Sequence, residues 1–408
     1  MKNVLNRFLE RGDRSAGWVA ACIVIAGLGY SMILGPELRY PDEGEYLSIA
    51  ENMVSNGLFS MDGEHSTAYR PPGYPFIMAP FVALGAGPVT LRSLNFLALA
   101  WCLFLLGKLL PKELRKPGTA MAAVLVVGYP VLFYTAGTLY PQTVSTALFL
   151  AFLVVALGPD GIAKIRPVLA GTLMGLLILT VSTFLFALAL TLAYLALVRG
   201  QWRNAFIIGI ISTLIVGSWT VRNTLVFDRV VPMATNSGIN LLLGNSPNTT
   251  ANSGVNVDLS TYLEQTEGMD EVERDAFLKQ AAIDHIKSDP TAALGLYVRK
   301  VVNFFNYRNE LATASERSVA RELLVLIPYA VILLLVIWRC AQFRTRPLSQ
   351  LEWFILVLYV SSAFFHAIFF TRIRFRLPLD TLLIAIAAGQ AAYLWRRYLA
   401  RSAPAAEV

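Results

Sequence analysis

Two adjacent carboxylates and a scatter of guanidinium groups are the residues of this chain whose types and spacing could do chemistry. Asp42 and Glu43 lie in Pro41-Asp42-Glu43-Gly44-Glu45-Tyr46, directly after the first apolar run, and Arg70-Pro71-Pro72-Gly73-Tyr74-Pro75 follows them. Near the other end, Arg372, Arg374 and Arg376 alternate in Arg-Ile-Arg-Phe-Arg. A carboxylate at a bilayer surface can take the proton from an acceptor hydroxyl as that hydroxyl attacks an electrophile. Guanidinium groups bind phosphate bidentately and keep their charge in a low-dielectric setting. Carboxylates at a membrane surface are what chemistry on lipid-linked substrates would need.

Each group also has a plainer reading. Asp42 and Glu43 precede a stretch, 45–56, that sets Tyr46, Ile49, Ala50 and Met53 on one helical side and ends at Gly57, so N-terminal capping is their structural alternative. Snorkelling to lipid headgroups is the alternative for the arginines. Alternation also prevents all three from facing one ligand in an extended segment, and Arg374 and Arg376 are the first choices. Pro71-Pro72-Gly73 stiffens the chain and then permits a turn, which holds Arg70 and Tyr74 in a defined relation to the surface. Arg70 is a further candidate for anion contact. His65, His285 and His366 are scattered without zinc-ligand spacing. Cys22 and Cys102 fall in apolar segments and Cys340 at the end of another, which suggests neither a disulfide nor a metal cluster. The sequence contains no phosphate-cradling glycine loop, no Gly-x-Ser-x-Gly elbow and no His-Glu-x-x-His helix, which argues against ATP-driven pumping and common hydrolase chemistry.

The elements that must position these groups are membrane helices. Of 408 residues, 56% are hydrophobic and only 15% charged, against about 25% charged in soluble domains. The net charge of +7 comes mostly from lysines and arginines in short loops between apolar runs, which is an orientation signal rather than a nucleic-acid footprint. Lys2, Arg7, Arg11 and Arg14 before the run 18–34 place the N-terminus in the cytoplasm, with no small-x-small cleavage pattern to indicate a signal peptide. Further runs cover 90–110, 118–137, 141–158, 168–182, 184–198, 205–221, 322–339, 352–370 and 377–395, each near the length of about 20 residues that a span requires. The piece 74–87, with Pro75 and Pro80, reads as interfacial or re-entrant. If it does not cross, the basic loops 108–116, 164–166, 199–203 and 339–346 and the tail Arg396, Arg397 and Arg401 all face the cytoplasm.

The expectation is an all-α polytopic membrane protein, one domain over 1–408, with about ten spans, both termini inside, and two external segments at 35–89 and 222–321. The first is strongly acidic. The second carries turn-rich Asn236-Ser237-Gly238 and Gly244-Asn245-Ser246-Pro247-Asn248. It continues with a helix over 270–288 whose Asp270 and Glu273 are spaced as a capping box, and stops at Asp289-Pro290. The piece 291–307 sets Leu294, Tyr297, Val298, Val301, Val302 and Phe305 at helical spacing, as a helix along the membrane surface would.

Taken in order, Pro-Asp-Glu-x-x-Tyr after the first helix, Arg70-Pro-Pro-Gly-Tyr-Pro, Trp219-Thr-Val-Arg222-Asn223, Gly238-x-Asn240-Leu241 with Gly244-Asn245, and Arg374-Phe-Arg376-x-Pro378 resemble the GT-C glycosyltransferases. The nearest branch is the bacterial one of protein O-mannosyltransferases and lipid A aminoarabinose transferases. The resemblance runs along nearly the whole chain. It implies a GT-C bundle in the bacterial inner membrane, a polyprenyl-phosphate-linked sugar as donor, and a hydroxyl of a glycan, lipid or protein as acceptor. It further implies inverting transfer at the periplasmic face. Asp42 then takes the place of the catalytic aspartate with Glu43 beside it, orienting the acceptor or a metal ion. Arg70, Tyr74, Arg372, Arg374, Arg376 and Asn245 become substrate-binding candidates. Relatives often carry an acid where Gln142 stands, and Gln142 supplies no charge to a divalent cation, so no metal ligand is assigned. Many also show an arginine and a proline where this chain reads Leu179-Thr180-Val181-Ser182. A transporter or flippase of lipid-linked saccharide is the competing class, but transporters usually keep such groups at the bilayer midplane within pseudo-symmetric halves, and the sequence shows no repeat. A non-catalytic subunit of the same fold is the third reading, prompted by Gln142 and Ser182.

Overall fold

The computed structural model describes residues 8–158, 166–254, 256–308 and 319–402. Lys2, Arg7 and Lys164, which the threading used, lie outside them. Among the described residues the regular elements are all helices. Helix α1 (Asp13–Leu34) is the first apolar run and stops at Gly35, whose φ of 63° suits glycine alone. After it come α2 (Pro41–Ser55), α3 (Gly73–Ala83), α4 (Pro88–Leu109), α5 (Arg115–Val127), α6 (Pro130–Ala136), α7 (Gln142–Ala156) and α8 (Pro167–Thr180). The chain continues through α9 (Leu185–Ala193), α10 (Trp202–Phe227), α11 (Ser237–Gly244), α12 (Ser260–Glu264), α13 (Glu271–Ser288) and α14 (Pro290–Asn303). It ends with α15 (Val319–Ala341), α16 (Gln350–Ala367) and α17 (Ile373–Ser402).

Every apolar run expected to span coincides with helix, but the runs differ in reach. Within α1, α4, α10, α15, α16 and α17 lie six stretches long and apolar enough to cross a membrane singly. Helices α5 and α6 make a seventh span as a pair bent by 70°, broken at Tyr129 where Pro130 cannot continue the upstream hydrogen bonds. The remaining runs, α7, α8 and 182–198, are shorter apolar helices, as is α3. Among the described residues the count of about ten spans therefore becomes six by length and composition, or seven with the bent pair.

Burial sorts the bundle. Helix α17 has 83% of its apolar window inside the protein, against 22% for α1, α10 and α15. It packs against α5, α7, α15 and α16, so it is the central post while the other three turn most of their surface outward. Leu377, Leu382, Leu383, Ile384 and Ala387 carry it into the main core.

The two long segments lie at one end of the bundle and are tied to each other. Glu271 accepts from Ala68 N at 2.8 Å and Thr67 Oγ1 at 2.6 Å, and also from Thr235 Oγ1. Arg222 Nη1 donates to Thr67 O at 2.8 Å. Helix α13 carries the expected capping box, with Asp270 accepting from Val272 N and Glu273 N and Glu273 accepting from Asp270 N. Helix α14 presents Leu294, Val298 and Val302 outward, a stripe that fits the membrane-surface expectation. Gly73 lets the start of α3 touch the end of α8, since a Cβ there would come within 2.5 Å of Thr180 Oγ1 and 2.6 Å of its backbone nitrogen.

Candidate active site

Pro41 sits at N1 of α2, the position proline favours, so that helix begins four residues before the stretch read from periodicity. The earlier start matters because Asp42, Glu45 and Tyr46 then fall at i, i+3 and i+4, on one face. Neither Asp42 nor Glu43 caps the helix, whose N-cap is Tyr40 without a side-chain bond. The face carrying Asp42 meets Arg70, which is held just ahead of α3 by Pro71 and Pro72. Arg70 Nη2 lies 2.8 Å from Asp42 Oδ1, and its Nε donates to Glu45 Oε2 at 2.5 Å. The guanidinium stacks 5.2 Å from the Tyr46 ring and 5.3 Å from that of Tyr69.

The other oxygen of Asp42 meets the far end of the sequence. Arg374, in the first turn of α17, donates from Nη1 to Asp42 Oδ2 at 3.1 Å and lies 5.0 Å from the centre of the Tyr140 ring. Asp42 is thus gripped on both oxygens by cations from two separate segments. Its side chain keeps 22% of its surface and that of Arg374 30%, so both remain reachable. Burial alone would raise the Asp42 carboxyl, but Arg374 and Arg70 outweigh it and hold the group below the usual carboxylate range. Burial likewise works against the charge of Arg70, while Tyr46, Asp42 and Glu45 more than restore it and raise its pKa. Tyr140 is pushed up, chiefly by burial, and stays a neutral phenol.

A cavity of about 20 Å³ adjoins Arg374, with Gln142, Val181, Thr183, His366 and Phe375 in its wall. It exists because α8 stops at Val181, which turns extended before the short 3-10 turn Ser182–Phe184. Gln142 Oε1 is buried there without a protein partner, and the cavity is about large enough for one water to satisfy it.

Four candidates from the sequence do other work. Glu43 is fully enclosed; it accepts from Leu139 N at 2.9 Å and Arg39 N at 3.2 Å and lies 4.0 Å from Arg92. It therefore orients the start of α2 and meets no solvent. Tyr74 is buried, and its hydroxyl pairs with the Asn95 amide. Asn245 donates to Leu241 O and Ile368 O, each at 2.9 Å, and accepts from Lys300 Nζ at 3.1 Å. Arg376 is sealed in the bundle, with Nε 3.0 Å from Asp380 and Nη1 donating to Phe304 O and Asn306 O. Arg372 bonds Asn256 Oδ1 at 2.9 Å and is not among the contacts of Asp42. Glu43, Tyr74, Asn245 and Arg376 are buried around the site, and the reachable candidates in contact with Asp42 are Arg70 and Arg374.

Three contributors escaped sequence reasoning. Glu45 and Tyr140 were legible only once α2 began at Pro41 and α6 led into α7. Lys300 had no signal at all. It is buried, and its ammonium donates to Gly244 O at 3.0 Å, Asn245 Oδ1 at 3.1 Å and Phe369 O at 2.7 Å. That knot anchors the segment leading into Arg374. Gly244 is required in it because any Cβ would strike the carbonyl of Phe369.

A divalent cation would need converging acidic or imidazole ligands. Among the described residues no three His, Cys, Asp or Glu side chains form such a group. Asp42 already spends both oxygens on arginines, Glu43 is turned to backbone amides, and Gln142 is neutral, so the residues present do not fit a metal.

No family model and no curated protein matches the chain. Among solved structures, ArnT from Cupriavidus metallidurans bound to undecaprenyl phosphate is similar at 15% identity and a TM-score of 0.44, over 92% of this chain and 78% of that one. The same protein in the apo state is 14% identical at a TM-score of 0.42, over 93% of this chain and 78% of that one. Identity and TM-score are both too low for that likeness to carry an assignment, which falls to the residues themselves.

Proposed function

We propose that this is a GT-C-like membrane glycosyltransferase that moves a sugar from a polyprenyl-phosphate donor to a hydroxyl acceptor, with inversion at the anomeric carbon. The site faces the periplasm of a bacterial inner membrane in this reading. One observation carries it: a reachable carboxylate, Asp42, lies in direct contact with Arg70 and Arg374, two cations suited to phosphate, at the end of a bundle of apolar helices.

The roles follow from the chemistry of each group. Asp42 takes the proton of the acceptor hydroxyl as its oxygen bonds to the anomeric carbon. The bond from that carbon to the phosphate oxygen breaks, its electron pair goes to the polyprenyl phosphate, and Arg374 stabilises the leaving charge. Arg70, fixed by Glu45 and stacked between two tyrosines, keeps Asp42 aimed at the site. A transporter is less well supported, because the charged contact lies at one end of the bundle rather than midway along it.

Transfer measured in proteoliposomes supplied with lipid extract and acceptor membranes tests the reading. Asp42→Asn should lower transfer by ~10²–10⁴-fold, the usual share of a general base, while the protein folds as the parent does. Transfer at the parent rate would remove Asp42 from the chemistry.

A further inference from the structure

We infer that the Asp42 carboxylate is an internal rival of the donor phosphate for Arg374, so that the incoming phosphate must draw Arg374 away before Asp42 can act as base. This rests on the function proposed above and adds an order of events to it.

Charge balance is the first ground. Asp42 and Glu45 pair with Arg70 and Arg374, two anions against two cations, and the cluster is neutral as it stands. The donor phosphate, a diester of the polyprenol and the sugar that carries about one negative charge near neutral pH, finds no uncompensated cation there. It gains Arg374 only by taking it from Asp42, since a carboxylate and a phosphate on the same guanidinium edge would repel each other.

Space is the second ground. The cavity beside Arg374 has a volume of about 20 Å³, room for one water and too little for a phosphate group with its four oxygens. Arg374 is in its wall and Asp42 is not, so a phosphate reaches Arg374 from outside the cavity, where both side chains keep surface.

The two arginines are unequal in a way that says which contact yields. Arg70 is 14% exposed, is held by Glu45 as well as Asp42, and is stacked on Tyr46 and Tyr69. Arg374 also faces two rings, Tyr140 at 5.0 Å and Phe375 at 5.2 Å, but it is 30% exposed and its ion pair is with Asp42 alone. Arg374 is the partner that can swing, and Arg70 is the one that keeps Asp42 in place while it does. Losing one of its two cations also lets the Asp42 carboxyl return toward its ordinary range, which makes it a better base. Phosphate binding would thus strengthen the base at the moment a donor is present, and leave it weak otherwise.

The test is the affinity of the purified full chain in lipid nanodiscs for undecaprenyl phosphate alone. Asp42→Asn should bind it about 10-fold more tightly, one charge-assisted contact having been freed. Asp42→Ser should do the same, and serves if the asparagine variant does not fold. Arg374→Ala should weaken binding by a similar factor, and on that background Asp42→Asn should bring no gain. Unchanged or weaker binding by the Asp42 variants would make Asp42 a strut that aims Arg374 and overturn the rivalry. A gain that persists without Arg374 would mean plain repulsion at a distance and overturn it equally. If Arg374→Ala binds as the parent does, the phosphate site itself is misplaced, and the proposed mechanism falls together with the inference.

Discussion

Arg374 and Arg376 each bond an aspartate, yet the two pairs have almost nothing else in common. Arg374 reaches back to Asp42, on a helix at the opposite end of the chain, and both side chains keep surface. Arg376 bonds Asp380 one turn further along α17, with side-chain exposures of 0% and 1%. Asp380 also accepts from Tyr129 Oη at 2.9 Å and Tyr359 Oη at 3.1 Å. Two residues along a helix are about 200° apart around its axis, so neighbours in Arg-Phe-Arg point to opposite sides of α17. One looks out to the site and the other into the bundle. The motif is chemically uniform, and burial alone divides it into a candidate binding group and a pin.

The sharpest way to break this comparison is to remove the pin. Arg376→Ala would leave Asp380 charged in a closed site and two backbone carbonyls without donors, and the expected loss is about 3–5 kcal/mol of stability. A thermal melt in detergent should show a large drop in Tm, and any loss of transfer should follow the loss of folded protein. A stable, folded Arg376→Ala that has lost undecaprenyl phosphate binding would return Arg376 to the ligand and erase the distinction. Arg374→Ala is the converse case. Its pair is part-exposed, and such pairs contribute about 1 kcal/mol or less, so Tm should scarcely move while affinity for the lipid phosphate falls. A fall in Tm as large as that of Arg376→Ala would show Arg374 to be structural too.

The same division explains what could be read from the sequence. Helices were legible because apolar runs separated by basic loops leave few alternatives in a bilayer, and the box at Asp270 and Glu273 because capping is local. The lengths were less so: α7 and α8 stop short of a full span, and nothing in their composition says where Val181 turns extended. At the site, Asp42, Arg70 and Arg374 were all named in advance, but so were Glu43, Tyr74, Asn245 and Arg376. Residue type and motif cannot separate these sets, since exposure depends on which segments close over them. Glu43 is sealed by Leu139 and Arg92, both remote in sequence. Lys300 was overlooked for a related reason. In a soluble protein, a lysine opposite an apolar stripe faces water. In α14 the stripe of Leu294, Val298 and Val302 is the exposed side, so the polar side turns into the protein.

Lys300 extends the comparison to a buried cation held by oxygen acceptors with no carboxylate among them. Burial lowers its pKa to about 8 from 10.5, while its three acceptors favour the ammonium and limit the effect. The sign of the resulting pH dependence is definite. Between about pH 8 and 10.5 the unfolded chain holds the proton and the folded chain releases it, so the unfolded state binds more protons and stability rises with pH. The expected gain across that window stays below the roughly 3 kcal/mol that a displacement from 10.5 to about 8 would give, because the acceptors oppose release. Denaturant unfolding of the parent at pH 7.5 and pH 10 should show it, and Lys300→Met should abolish the difference while lowering stability at both pH values through the three carbonyl-type acceptors it leaves unsatisfied. A parent whose stability is flat or falls across the window would mean that the knot at Phe369 holds its ammonium as firmly as Asp380 holds Arg376, and that a carboxylate is not what separates the buried cations of this protein.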